Sequence, residues 1–274
     1  MPEGPEIRLS ADRLADVLAG EIIEEISFGL PRLERYQSAL EGRTITKVEN
    51  HGKAMLNHFD NDMSIYSHNQ LYGLWVVTRR NKLPVTNRQL RLALHTSSHS
   101  ALLYSASDIS VWPTEELSEH PFLKKLGPDI LDNSLSWQAI SERLRSSKFN
   151  KRSLAALYLD QSFLAGIGNY LRSEILFSAG VHPWQKPADL SKQQLNKLAR
   201  KSLAISLQSY ATRGVTNPIR RAKALEKQGY RFEQRRFQIF NRESLPCYDC
   251  GTSIVNTPVS NRRLYWCPSC QAQT

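Results

Sequence analysis

Cysteine is scarce in this 274-residue chain: there are four, all beyond residue 246, so disulfides cannot staple the bulk of the fold. Glycine and proline number only 13 each, which excludes collagen-like and low-complexity classes. No apolar run approaches the ~20 residues that a membrane span requires. The start, Met1-Pro2-Glu3-Gly4-Pro5-Glu6, lacks the basic and apolar regions of a secretory signal, so an intracellular protein is expected. What remains is an ordinary globular composition, 41% hydrophobic and 23% charged, long enough for one to three domains with a sizeable core.

Acidic residues are also scarce in one half. Residues 1–133 carry 14 Lys and Arg against 18 Asp and Glu, net −4, whereas residues 134–274 carry 22 against 8, net +14. A concentrated positive charge fits a polyanion. Nucleic acid is favoured over an anionic membrane because no amphipathic anchor helix is visible, although charge excess also serves solubility.

Ile7, Ala11, Leu14 and Leu18 recur at helical spacing between Pro5 and Gly20, which predicts a helix over residues 4–19. Short β-rich runs follow at 22–28, 44–48, 55–59, 64–66, 74–78, 90–94 and 101–104, separated by turn residues. Closely spaced short strands predict an antiparallel sandwich or barrel. After Pro113 the pattern turns helical, at 114–124, 135–146, 153–159, 170–179 and 189–211. The basic stretch 214–236 is expected to be a mobile loop that leads into a β-hairpin module. The expected domains are 1–115, a linker at 116–133, a helical domain at 134–234 and a terminal module at 235–274.

The cysteines form Cys247-x2-Cys250-x16-Cys267-x2-Cys270. Two CxxC knuckles supply the four thiolates of a closed tetrahedral zinc site, which holds structure and leaves no coordination position for chemistry. A redox dithiol would instead pair one CxxC with a βαβ unit, and none is present. Arg262 and Arg263 lie between the knuckles, either on a solvated tip or on one directed into a nucleic-acid groove.

Gly166-Ile167-Gly168-Asn169-Tyr170 precedes a helical pattern. Its glycines either make a tight turn between helices or open the helix N-terminus to a phosphate. At the chain start, Pro2 offers a secondary amine once Met1 is removed, with the Glu3 carboxyl beside it, and the alternative is ordinary first-turn helix chemistry. An α-amine with a pKa of about 7.7–8.0 is neutral in roughly a tenth of molecules at pH 7, against below about a thousandth for lysine. The terminus is therefore the better nucleophile.

Together these motifs resemble the formamidopyrimidine-DNA glycosylase and endonuclease VIII family. The resemblance rests on Pro2-Glu3-Gly4-Pro5-Glu6, His51-Gly52-Lys53-Ala54, the Gly166–Tyr170 turn, and Arg262 five residues before Cys267. It spans nearly the whole chain. Tyr66-Ser67-His68-Asn69-Gln70-Leu71-Tyr72-Gly73 is similar to the void-filling wedge of the oxidised-pyrimidine branch, where the oxidised-purine branch usually carries a methionine. The resemblance implies an α+β multidomain protein: an N-terminal β-sandwich with an N-terminal helix, a helix-two-turn-helix domain and a zinc-finger β-hairpin. It implies damaged double-stranded DNA as partner, one structural zinc and no catalytic metal, in a cytoplasmic, nucleoid-associated monomer.

By the same resemblance Pro2 is the Schiff-base nucleophile and Glu3 the acid that assists sugar-ring opening. Lys53 serves β-elimination, Arg262 serves δ-elimination and phosphate binding, and Gln70, Leu71, Tyr72, Lys125 and Asn169 contact DNA. Lys125 stands where the family often has arginine, Arg263 where a smaller residue is expected, and 214–236 is longer and more basic than the family pattern. The expected activity is removal of oxidised pyrimidines with β,δ-elimination. An oxidised-purine enzyme and a non-catalytic zinc-containing DNA-binding protein are the alternatives.

Overall fold

The computed structural model describes residues 2–80 and 82–273. They divide into two compact units, one holding Pro2 and Glu6–Lys125, the other Glu3–Pro5 and residues 126–273. The expected α+β class holds.

In the first unit, α1 (Gly4–Leu18) leads into two antiparallel four-stranded sheets. One has the order β1 (Glu25–Phe28), β6 (Leu90–His95), β7 (His99–Tyr104), β5 (Leu74–Arg79); the other β2 (Ile45–His51), β3 (Ala54–Phe59), β4 (Met63–His68), β8 (Asp108–Pro113). Two short helices, α2 (Pro31–Glu34) and α3 (Gln37–Leu40), follow β1. Alternate residues of each strand face inward: Leu92 and Leu94, Ala101 and Leu103, Ile109 and Val111. Ile7, Ala11, Leu14 and Leu18 of α1 join the same core at their helical period. Two sheets burying facing apolar sides in one cluster make a β-sandwich.

The second unit is helical: α4 (Trp137–Arg145), α5 (Leu154–Leu157), α6 (Asn169–Ala179), α7 (Lys192–Ala211), α8 (Ile219–Lys227) and α9 (Phe232–Arg235). Helix α6 is buried nearly all round and packs against α7 and against a hairpin of β9 (Val255–Val259) and β10 (Arg262–Trp266). A satellite core of Phe177, Ile239, Ile254 and Tyr265 joins α6 to that hairpin. Among the described residues no helix is long and apolar enough to cross a membrane.

Three local expectations need correction. Residues 114–124 form 3-10 turns, Thr114–Glu119 and Leu123–Lys125, because the span is broken by His120-Pro121 and its only buried apolar residues are Leu117 and Leu123. Strand β8 was not foreseen; it pairs with β4 alone, at a sheet edge where its polar Asp108 and Ser110 and its Pro113 are tolerated. The expected mobile loop at 214–236 contains α8 and α9, and Ala222 and Leu225 of α8 are buried one turn apart.

Candidate active site and four-cysteine centre

Helix α6 starts after an N-cap glycine that offers no side chain, so its first N–H groups need outside acceptors. Glu3 supplies them. The N–H of Gly168 donates to Glu3 Oε2 at 2.7 Å, that of Tyr170 to Oε1 at 2.8 Å and that of Leu171 to Oε2 at 3.2 Å. Glu3 is 3% exposed. A Cβ on Gly168 would lie 2.4 Å from Glu3 Cδ, so this close approach requires glycine. The Gly4 N–H adds a bond to the Gly166 carbonyl at 2.8 Å. The turn thus binds an anion, as the helix dipole favours, and the anion is the chain's own Glu3 rather than a phosphate.

Asn169 is the first residue of α6 and half-buried. Its Oδ1 faces the guanidinium of Arg172 at 3.4 Å. Arg172 is fully buried and donates to the carbonyls of Ala155 at 2.9 Å and Arg263 at 3.0 Å. Burial pushes its pKa down to about 10, Glu3 opposing and Arg262 adding to the shift. One buried cation therefore lies within electrostatic reach of the Glu3 carboxyl and Arg262. Glu174, two residues on, is also fully buried; it accepts from Thr216 Oγ1 at 2.6 Å and from the N–H groups of Gln238, Ile239 and Phe240 at 2.8–2.9 Å. Sequence reading passed over both. Two charges inside an apolar helix were the available signal.

Arg262 opens β10 and is exposed. It follows a two-residue turn in which Ser260 and Asn261 have φ of +51° and +59°, with Val259 opposite Arg262. Left-handed conformation at both central residues is the type I′ hairpin, whose twist matches the strands and fixes where the arginine emerges. The Tyr265 N–H bonds Ser173 Oγ of α6 at 3.2 Å, anchoring the strand behind it.

The Sγ atoms of Cys247, Cys250, Cys267 and Cys270 all lie within 4.8 Å of one another. Cys247 and Cys270 are 3.8 Å apart, and Cys250 and Cys267 3.4 Å. A thiolate tetrahedron with metal–sulfur bonds of about 2.3 Å has edges of about 3.8 Å. The donor set and spacing fit zinc, and among the described residues these four cysteines make up the whole cluster.

In the first unit, Pro2 is half-buried, and Met1 lies outside the described residues. Lys53 occupies the two-residue turn between β2 and β3, where His51 pairs with Ala54. Ala54 in turn pairs with His68, the last residue of β4, so Lys53 and the segment after His68 share one end of the sheet. Gln70 has a left-handed φ of +49°, and its N–H donates to His68 Nδ1 at 3.0 Å. Burial keeps His68 below the usual histidine range, Asp108 opposing and Lys53 adding, which preserves Nδ1 as an acceptor. Leu71 and Tyr72 are 55% and 71% exposed, a large apolar outlay for a surface turn. Lys125 is exposed at the end of its 3-10 turn.

Residues 1–107 match the Formamidopyrimidine-DNA glycosylase N-terminal domain and residues 126–228 the Formamidopyrimidine-DNA glycosylase H2TH domain. The chain is similar to Endonuclease 8 of Shigella sonnei, 47% identical over 271 residues that cover 99% of this chain and 100% of the relative. Endonuclease 8 of Escherichia coli is equally similar, at 47% over the same shares. The chain belongs to the formamidopyrimidine-DNA glycosylase/endonuclease VIII family. As a member it is a DNA glycosylase with abasic-site lyase activity. The crystal structure of Lactococcus lactis formamidopyrimidine-DNA glycosylase non-covalently bound to DNA containing an abasic site shares the fold, with a TM-score of 0.80 at 21% identity, covering 99% of this chain and 100% of that one.

Proposed function

We propose that the protein removes oxidised pyrimidines from duplex DNA through a Schiff base on Pro2 and cuts the strand by successive β- and δ-elimination. The observation that carries this reading is the hold on Glu3: a carboxyl fixed by three backbone N–H groups, one residue along the chain from Pro2, whose nitrogen is a secondary amine once Met1 is removed.

The Pro2 nitrogen attacks C1′, the bond from C1′ to the base breaks, and the base leaves with a proton. The Glu3 carboxylate takes the proton that the Pro2 nitrogen sheds on attack and passes it to the sugar ring oxygen as the ring opens, leaving a cationic iminium between Pro2 and C1′. That electron sink acidifies the C2′ proton. Its removal, which Lys53 assists, expels the 3′ phosphate; a second elimination expels the 5′ phosphate, with Arg262 at the phosphate. Hydrolysis then frees the amine. Asn169 and Lys125 bind the phosphate backbone, and Gln70, Leu71 and Tyr72 fill the space left when the nucleotide is extruded. The four cysteines hold a structural zinc that keeps the Arg262 hairpin rigid.

Two features support the pyrimidine preference. The exposed Leu71-Tyr72 tip follows the wedge pattern of that branch, and the relatives at 47% identity bear the name Endonuclease 8. A saturated, non-planar pyrimidine also stacks poorly, which lowers the cost of extrusion. Single-turnover excision on thymine glycol and 8-oxoguanine duplexes tests the assignment. Faster removal of thymine glycol, ending in the δ-product, is expected; faster removal of 8-oxoguanine would reverse it.

A further inference from the structure

The turn at residues 69–73 is held from outside itself. The Gly73 N–H donates to the Asn69 carbonyl at 2.7 Å, and a Cβ on Gly73 would lie 2.6 Å from Asn69 Cα and O, so the turn closes tightly only with glycine there. Ser107 Oγ, just before β8, donates to Gln70 Oε1 at 3.1 Å. On the far side, Arg88 Nη1 donates to the main-chain carbonyl of Tyr72 at 2.6 Å. Arg88 lies two residues before β6, 16 positions along the chain from the carbonyl it holds. Its N–H bonds Thr86 Oγ1 at 3.2 Å, which steadies the segment from which the guanidinium reaches.

Two exposed apolar side chains on a five-residue turn have little of their own structure to direct them. Gln70 also holds a left-handed backbone conformation that a non-glycine residue adopts at some cost. A turn under that load keeps one geometry only when its surroundings over-determine it. A hydrogen bond from a cation to a backbone carbonyl is among the stronger single contacts at a surface, and it fixes the peptide rather than a rotatable side chain.

We propose that Arg88 is a positioning residue for strand invasion: by holding the Tyr72 carbonyl it aims Leu71 and Tyr72 at the duplex. This rests on the reading that Gln70, Leu71 and Tyr72 fill the extrusion gap. Arg88 takes no part in the chemistry at C1′; it acts on the step that brings the damaged nucleotide out of the stack. Its loss should therefore matter where a nucleotide must be extruded and not where the substrate has no stack to leave.

The test compares Arg88→Ala, Arg88→Lys and Leu71→Ala in the full chain on a thymine glycol duplex and on a single-stranded abasic oligonucleotide, under single-turnover conditions. Arg88→Ala is expected to slow the duplex reaction three- to tenfold and to leave the single-stranded reaction within twofold of wild type, with Arg88→Lys intermediate. The slope of log affinity against log salt should stay that of wild type, because a lost phosphate contact would lower it by about one. Equal slowing on both substrates, a slope reduced by about one, or a wild-type duplex rate in Arg88→Ala while Leu71→Ala is slow, would each overturn the assignment. If Leu71→Ala also runs at the wild-type duplex rate, the wedge reading itself is at fault and Arg88 has nothing to aim.

Discussion

Residues 1–133 carry a net charge of −4 and residues 134–274 one of +14, yet the sharper contrast lies inside the two units. Among the described residues, every buried Asp, Glu, Lys or Arg belongs to the second: Glu3, Asp129, Arg172, Glu174 and Arg242. The sandwich buries only neutral or histidine polar groups, such as Asn57, Ser64, Ser67, His58 and His120. Buried charge is costly unless it is hydrogen-bonded, and in the second unit the partners of Glu3, Arg172 and Glu174 are mostly backbone N–H and carbonyl groups at helix ends and turns. Fixed charges of that kind do not reorganise when a phosphate arrives. The first unit instead carries the groups proposed to react and to fill the extrusion gap, Pro2, Lys53 and the 69–73 turn, ahead of α1 and in turns.

The contrast breaks most severely if the clasp of the second unit is opened. Cys267→Ser should release zinc, loosen residues 247–270 and abolish tight DNA binding, because folding and metal binding are coupled in such knuckles. Metal content and a binding titration check this; full zinc and wild-type affinity would contradict it. Next in size, Glu174→Ala should cost about 3–5 kcal/mol in urea unfolding, since it strands several buried N–H donors. Arg262→Ala should slow strand cleavage by about ten- to a hundredfold, as loss of a charged hydrogen bond of about 1.5–3 kcal/mol implies. The order of preference among lesions should not change, and a gel time course resolving base release from β- and δ-products reads both. The smallest effect belongs to the sandwich. Both amide atoms of buried Asn57 find no partner among the described residues, so Asn57→Leu should change stability by less than about 1 kcal/mol or raise it, measured by the same unfolding experiment.

Legibility in the sequence followed the same division. Helix α1 and seven strands of the sandwich were marked by periodicity alone, as Ile7, Ala11, Leu14 and Leu18 illustrate. Strand β8 escaped because an edge strand with Asp108, Ser110 and Pro113 has no apolar alternation strong enough to register. Helix α8 escaped because its cations outnumber the buried Ala222 and Leu225. The cysteine cluster was legible from spacing, and the motifs single out Pro2, Glu3, Lys53 and Arg262 as the proposed site. Arg172 and Glu174 were not, for their partners are backbone groups at residues 155, 263 and 238–240. A main-chain partner, donor or acceptor, leaves no trace in residue identity.

Borohydride trapping on a damaged duplex tests the Pro2 assignment most directly, with the reduced adduct digested and located by mass spectrometry. The expected result is one cross-link on the N-terminal peptide at Pro2, strongly diminished in a chain that retains Met1 and in Pro2→Gly, which keeps only a weaker α-amine. An adduct on Lys53, or undiminished trapping by the chain that retains Met1, would contradict it.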